Sequence, residues 1–143
     1  MDRTAPSDPG TPPIRYVESL DSIEPAHLHG FFAGWRHPFA PDEHLRMLEG
    51  SDRVVLAIDT ETARVVGFVA ALTDGVQGAF ITLLEVLPAF QGQGVGQALM
   101  TRMLERLSDI QTIELMCDAG LVPFYARFGM TPASGMVLRR REP

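Results

Sequence analysis

The chain has 143 residues, enough for one domain with a core that needs no covalent staples. Its hydrophobic share of 45% and charged share of 21% are those of a soluble globular protein, and its single cysteine, Cys117, excludes an intrachain disulfide. A net charge of −6, from 12 basic and 18 acidic residues, argues against a nucleic-acid partner, and no apolar run is long enough for a membrane-spanning helix.

Met1 to Pro13 holds four of the 11 prolines and cannot bury apolar surface, so it is expected to be a disordered Pro-rich tail ahead of a single domain over 14–143. It lacks the apolar stretch of a secretion signal, which with the lone cysteine points to a reducing, cytoplasmic setting. Ile14 to Ser19 reads as a strand. Glu24 to Phe32 reads as a short helix, with Pro25 in its first turn and Asp21 or Ser22 as its cap. Pro41 to Glu49 is a second helix, stopped by Gly50.

Arg53–Asp59 and Arg64–Leu72 are strands joined by the short turn Thr60–Ala63, and Thr73-Asp74-Gly75 breaks the second. Ala79 to Leu87 is almost unbroken apolar sequence, the signature of a central strand covered on both faces, and Pro88 ends it. From Gly94 to Leu107, the residues Val95, Leu99, Met100, Met103, Leu104 and Leu107 recur at helical spacing. Thr112 to Cys117 is a strand, Asp118 caps a helix that ends at Gly129, and Met136 to Arg140 is a last strand. The order β-α-α-β-β-β-α-β-α-β describes an α/β domain with an antiparallel meander feeding a βαβ unit.

The segment with chemistry in it is Gln91-Gly92-Gln93-Gly94-Val95-Gly96, between the apolar strand and the amphipathic helix. Such a loop leaves backbone N–H groups free at a helix start, where they and the helix dipole attract a pyrophosphate, and glycine lets the phosphate approach the backbone. A P-loop requires a lysine, and the chain has none. A dinucleotide fingerprint requires a third glycine where this chain has Gln97 or Leu99.

The loop resembles that of the GCN5-related N-acetyltransferases (GNAT), whose hallmark is Gln or Arg, two residues, Gly, one residue, and Gly or Ala. Gln91, Gly94 and Gly96 match it. Two flanking segments add to the resemblance: Leu84-Glu85-Val86-Leu87-Pro88 before the loop, and Phe124-Tyr125-Ala126-Arg127-Phe128-Gly129-Met130 after it, with Met130 in place of the family's usual Phe. The resemblance covers the chain apart from its tail. It implies a mixed, largely antiparallel central sheet flanked by helices, and an acetyl-CoA-dependent N-acetyltransferase that uses no metal.

By resemblance, Val86 and Leu87 would offer backbone groups to the pantetheine amides, and the backbone of Gln91, Gly92, Gln93, Gly94, Val95 and Gly96 would hold the pyrophosphate. The central strands would splay after Cys117, and the Tyr125 hydroxyl would face the CoA sulfur as general acid. Trp35 and His37 lie in a loop that in the family often walls the acceptor pocket. The implied reaction is direct, sequential transfer to an amine, and a homodimer is compatible with the family.

The chain departs from the family at two places. Where many members carry a basic carboxylate or histidine, it has Thr82 and Phe80, so Glu85 is the nearest candidate base. Simple alternation puts Glu85 and Val86 on opposite strand faces, and a β-bulge would turn Glu85 inward. Where many members have Asn, this chain has Asp118. Cys117, on an apolar strand with no histidine near it in sequence, reads as a buried structural thiol, and His27 and His29 lack the spacing of a metal site. The acceptor stays open: a small-molecule amine, for which the acidic balance leans toward cationic polyamines, or a protein or peptide N-terminus. Transfer of another acyl group and a CoA-binding module with little catalysis also fit.

Overall fold

A computed structural model describes residues 13–143, so the expected tail, apart from Pro13, lies outside the described residues. Five strands form one sheet in sequential order: β1 (Ile14–Val17), β2 (Arg53–Asp59), β3 (Val65–Thr73), β4 (Gly78–Val86) and β5 (Thr112–Leu115). Neighbours from β1 to β4 are antiparallel, and β5 joins β4 in parallel after a helical crossover. The helices are α1 (Pro41–Glu49), α2 (Val95–Arg106) and the short α3 (Val122–Ala126). None of the described helices is long and apolar enough to cross a membrane.

The centre of the sheet is covered on both faces. Every residue of β2 after Arg53 is buried, as is β3 from Val65 to Ala71, which is why these segments read as continuous apolar runs. α2 covers one face with Val95, Leu99, Met100 and Met103, each worth roughly 1.5–3 kcal/mol when fully buried. Gly67 permits this approach: a β-carbon there would lie 3.1 Å from Leu99 Cδ1 and 3.3 Å from Val95 Cγ1. On the other face Phe68 meets Phe31, at 5.2 Å between ring centroids, and His44 of α1, at 4.4 Å. The β3–β4 turn is shaped by Asp74, whose Oδ1 accepts the N–H groups of Val76, Gln77 and Gly78 at 2.9, 2.8 and 3.2 Å.

The structure corrects four expectations. The helix expected over Glu24–Phe32 is a single 3-10 turn, Pro25–Leu28, because the chain leaves helical geometry at His29 and takes a positive φ at Gly30 (96°) and Phe32 (63°). The helix expected between Asp118 and Gly129 is a 3-10 turn followed by α3, and the Asp118 side chain caps neither. Met136–Arg140 is not a strand, and Met136, Val137 and Leu138 are exposed. That segment follows Pro132 and Gly135, passes Met116 and joins no ladder, and a strand without a partner leaves its backbone groups unpaired. β5 ends at Leu115, so Cys117 lies beyond it and is exposed rather than buried.

Candidate active site

Strand β4 is longer than its parallel partner. Its pairing with β5 runs from Gly78↔Thr112 to Ile81↔Leu115 and stops there. Immediately afterwards Thr82 is left without a partner in the β3 ladder, a bulge between Ile81 and Leu83. The strands therefore part at Leu115, earlier than the expected Cys117, and the last residues of β4 have an open edge.

The ladder determines which backbone groups face that edge. The N–H of Leu87 donates to Val66 O at 2.8 Å, so Glu85 and Leu87 turn their backbone groups toward β3 while Leu84 and Val86 turn theirs to the open side. The carbonyl of Leu87 accepts the Phe90 N–H at 2.8 Å. Leu87 thus has both backbone groups engaged within the chain, whereas Leu84 and the N–H of Val86 face the open side.

The glycine loop follows a 3-10 turn at Pro88–Phe90. Gly92 (φ 75°) and Gly94 (φ 83°) are left-handed, a conformation costing other residues roughly 1–2 kcal/mol, and apart from their chain neighbours no protein atom lies within 4 Å of where their β-carbons would be. The glutamines brace the loop rather than reach outward: Gln91 Nε2 donates to Val86 O at 2.9 Å and Gln93 Nε2 to Ala89 O at 3.4 Å. No side chain caps α2, so its first-turn N–H groups from Val95 onward are open to an anion. A β-carbon at Gly96 would sit 3.6 Å from Phe124 Cζ, which holds α3 against this helix start. A cleft of about 610 Å³ joins the loop to Glu85 and Val86 and to Tyr125 and Arg127, the one cation among the described residues lining it. Open glycines, uncapped N–H groups and an arginine fit a pyrophosphate.

Glu85 pairs in register with Phe68, while Val86 packs toward Gly96 on the α2 side. The bulge thus falls at Thr82 rather than at Glu85, and the carboxylate lies on the α1 face of the sheet. Its Oε1 accepts the backbone N–H of Phe32 at 2.9 Å. Burial pushes the Glu85 carboxyl above the usual carboxylate range, partly offset by that hydrogen bond. Phe32 keeps its positive φ while packed against Trp35, Phe39 and His44, at 5.2, 5.3 and 4.9 Å.

Tyr125 is half-buried beside Phe124, and burial, then the nearby Cys117, push its hydroxyl above the ordinary tyrosine value. Of the two residues expected to wall an acceptor pocket, Trp35 packs on Phe32 and Phe39, His37 is exposed, and neither lines the cleft.

The acetyltransferase (GNAT) family pattern matches residues 20–130. The chain belongs to the GNAT family. It is 30% identical to an uncharacterized ycf52-like N-acetyltransferase of Prochlorococcus marinus, over 80% of this chain and 65% of the relative. It is 32% identical to serotonin N-acetyltransferase 2, chloroplastic, of Oryza sativa subsp. japonica, over 78% of this chain and 58% of that protein. The chain therefore spans less than two thirds of the length of these relatives. A Deinococcus radiodurans R1 structure assigned as an acetyltransferase superposes with a TM-score of 0.86 at 42% identity, covering 89% of this chain and 88% of that one.

In this GNAT chain the usual base positions offer no base: Thr82 Oγ1 donates to Ala70 O at 3.3 Å, and Phe80 is apolar. Sequence reasoning gave no specific role to Phe32, His44 or Arg127. Phe32 carries no local signal, because its N–H meets a carboxylate 53 positions away. His44 reads as one helix residue among others. Arg127 had a signal, two residues after Tyr125 in a matched segment of a lysine-free chain.

Proposed function

We propose that this chain transfers the acetyl group of acetyl-CoA directly to the nitrogen of a small primary amine. One observation carries the reading: the uncapped glycine loop, the open edge of β4, Glu85 and Tyr125 share a single cleft. The loop N–H groups from Gly92 to Gly96 hold the pyrophosphate, and Arg127 offsets its charge. The outward backbone groups of Leu84 and the N–H of Val86 pair with the pantetheine amides, as a further strand would. Acetyl-CoA supplies the thioester whose carbonyl carbon is attacked.

The residues divide the proton work across the sheet. An alkylamine is protonated at neutral pH, with a pKa near about 10.4, so Glu85 takes a proton from it, directly or through water. A carboxyl raised by burial is the stronger base for that task. As the N–C bond forms, a β4 backbone N–H stabilises the developing oxyanion. As the C–S bond breaks, Tyr125 gives its proton to the sulfur; its raised pKa keeps it in the acid form at neutral pH. The second proton on the acylated nitrogen passes through water to the Tyr125 phenolate, and exchange with solvent removes the first from Glu85. The rice relative, named for serotonin, supports an amine acceptor.

Calorimetric titration with acetyl-CoA, followed by thiol release in the presence of amines, tests the reading. Binding with amine-dependent release is expected. An absence of binding sinks it.

A further inference from the structure

A second cavity, of about 240 Å³, lies between α1 and the β3–β4 pair. Its walls are Met47 and Leu48 of α1, Phe68, Ala70 and Leu72 of β3, and Leu83 of β4. The hydroxyls on its margin are already engaged: Ser51 Oγ donates to Met47 O at 2.8 Å, and Thr82 Oγ1 to Ala70 O. No aspartate, glutamate or arginine lines it. The remaining polar group is His44, whose ring is buried among Phe31, Phe32 and Phe68 with neither nitrogen hydrogen-bonded. Burial lowers its pKa to about 4, so the ring is neutral at pH 7 and the cavity carries no charge.

The cavity lies next to Glu85 along β4. Leu83 and Glu85 are alternate residues of one strand, on the same face and about 7 Å apart. Phe68 pairs in register with Glu85 and is also a cavity wall. An amine delivered to Glu85 from the α1 side therefore has this cavity beside it for its tail. Engineered apolar cavities of about 150 Å³ take up benzene, so this one has room for a ring and a short chain. A second ammonium group there would meet apolar walls and no counter-charge.

We propose that this cavity seats the tail of the acceptor, and that the acceptor is a primary monoamine with an apolar alkyl or aryl tail rather than a polyamine. The proposal rests on the reading of the cleft as the acetyl-transfer site. It replaces the lean toward polyamines drawn from net charge: the local wall decides which tail fits, and the wall is neutral.

The test is thiol release from acetyl-CoA with ethylamine, butylamine, hexylamine, phenethylamine, putrescine, spermidine and a short peptide with a free N-terminus. The expected result is a kcat/KM that rises about fourfold per methylene until the cavity is full, with monoamines ahead of diamines of equal length. Leu72 is 45% exposed, so Leu72→Glu tests the wall without emptying the core. It should lower kcat/KM for hexylamine about tenfold and raise it for putrescine, with the KM for acetyl-CoA unchanged. A flat chain-length series, a preference for polyamines or the peptide, no release with any monoamine, or an unchanged ranking in Leu72→Glu overturns the proposal. Calorimetry with acetyl-CoA separates the two levels. Binding together with any of those results overturns the tail site alone, whereas no binding overturns the acetyl-transfer reading and the tail site with it.

Discussion

The backbone N–H of Phe32 and the carboxylate of Glu85 meet at 2.9 Å across 53 positions of sequence. This bond ties the loop before α1 to the edge strand of the cleft. It joins the residue held at positive φ to the carboxylate assigned the base role. Glu85 is a structural acceptor by this bond and a chemical one only in the proposed mechanism, and the two roles can be separated by substitution.

Glu85→Gln keeps an oxygen for the Phe32 N–H and removes the base. Its expected effect is a fall in kcat of about 10²- to 10⁴-fold with little change in melting temperature. Because burial raises the wild-type carboxyl, the acid limb of the kcat–pH profile should lie above the usual carboxylate range and vanish in the variant. Glu85→Leu should also destabilise, by about 1–3 kcal/mol, because it leaves the Phe32 N–H unpaired. An unchanged pH profile in Glu85→Gln removes Glu85 as the base.

Tyr125→Phe preserves the edge contact with Phe124 and deletes only the hydroxyl. Turnover should fall by about 10²-fold or more while the calorimetric affinity for acetyl-CoA holds. Since the hydroxyl titrates above its ordinary value, no loss of activity from Tyr125 is expected until strongly alkaline pH. Wild-type turnover in the variant rules out the acid role.

Gly94→Val puts a branched side chain on the open side of the glycine loop, where no atom apart from its chain neighbours lies within 4 Å. The left-handed φ of 83° adds strain of roughly 1–2 kcal/mol, so the variant should fold with a lowered melting temperature. Acetyl-CoA binding should disappear from the calorimetric titration. Tight binding by the folded variant contradicts the loop assignment.

His44 makes stability depend on pH. Its folded pKa of about 4 lies below the ordinary value of 6.5, so between these pH values the unfolded chain binds more protons than the folded one. The contribution is fully present above pH 6.5 and is lost as the pH falls toward 4. His44→Leu should flatten urea-unfolding stability across this window. At pH 7 it should be neutral or stabilising, since it removes two buried nitrogens that have no partner. A decline as steep as wild type means that other groups carry the acid sensitivity.

Most of the sheet was legible in the sequence, and the reason is visible in particular segments. β2, β3, β4 and α2 begin and end within a residue of their expected bounds, because burial on two faces writes a continuous apolar run and burial on one face writes a helical period. Met136–Arg140 failed because strand propensity is realised only with a partner ladder. Glu24–Phe32 failed because the Phe31 and Phe32 rings, buried against Phe68 and His44, outweigh its local preference for helix.

The sequence by itself determined the family and the glycine loop that forms one side of the cleft. The glycine spacing before α2 and the Phe124-Tyr125 segment are local features, and a helix start with open N–H groups follows from adjacent residues alone. Only the tertiary structure decided the other side. The bulge at Thr82, the parting of β4 from β5 after Leu115, the Phe32–Glu85 bond and the uncharged cavity beside His44 each depend on residues far apart in the chain. Their geometry follows from how α1 and the segment before it pack on β3 and β4, and that packing is a property of the assembled core rather than of any one segment.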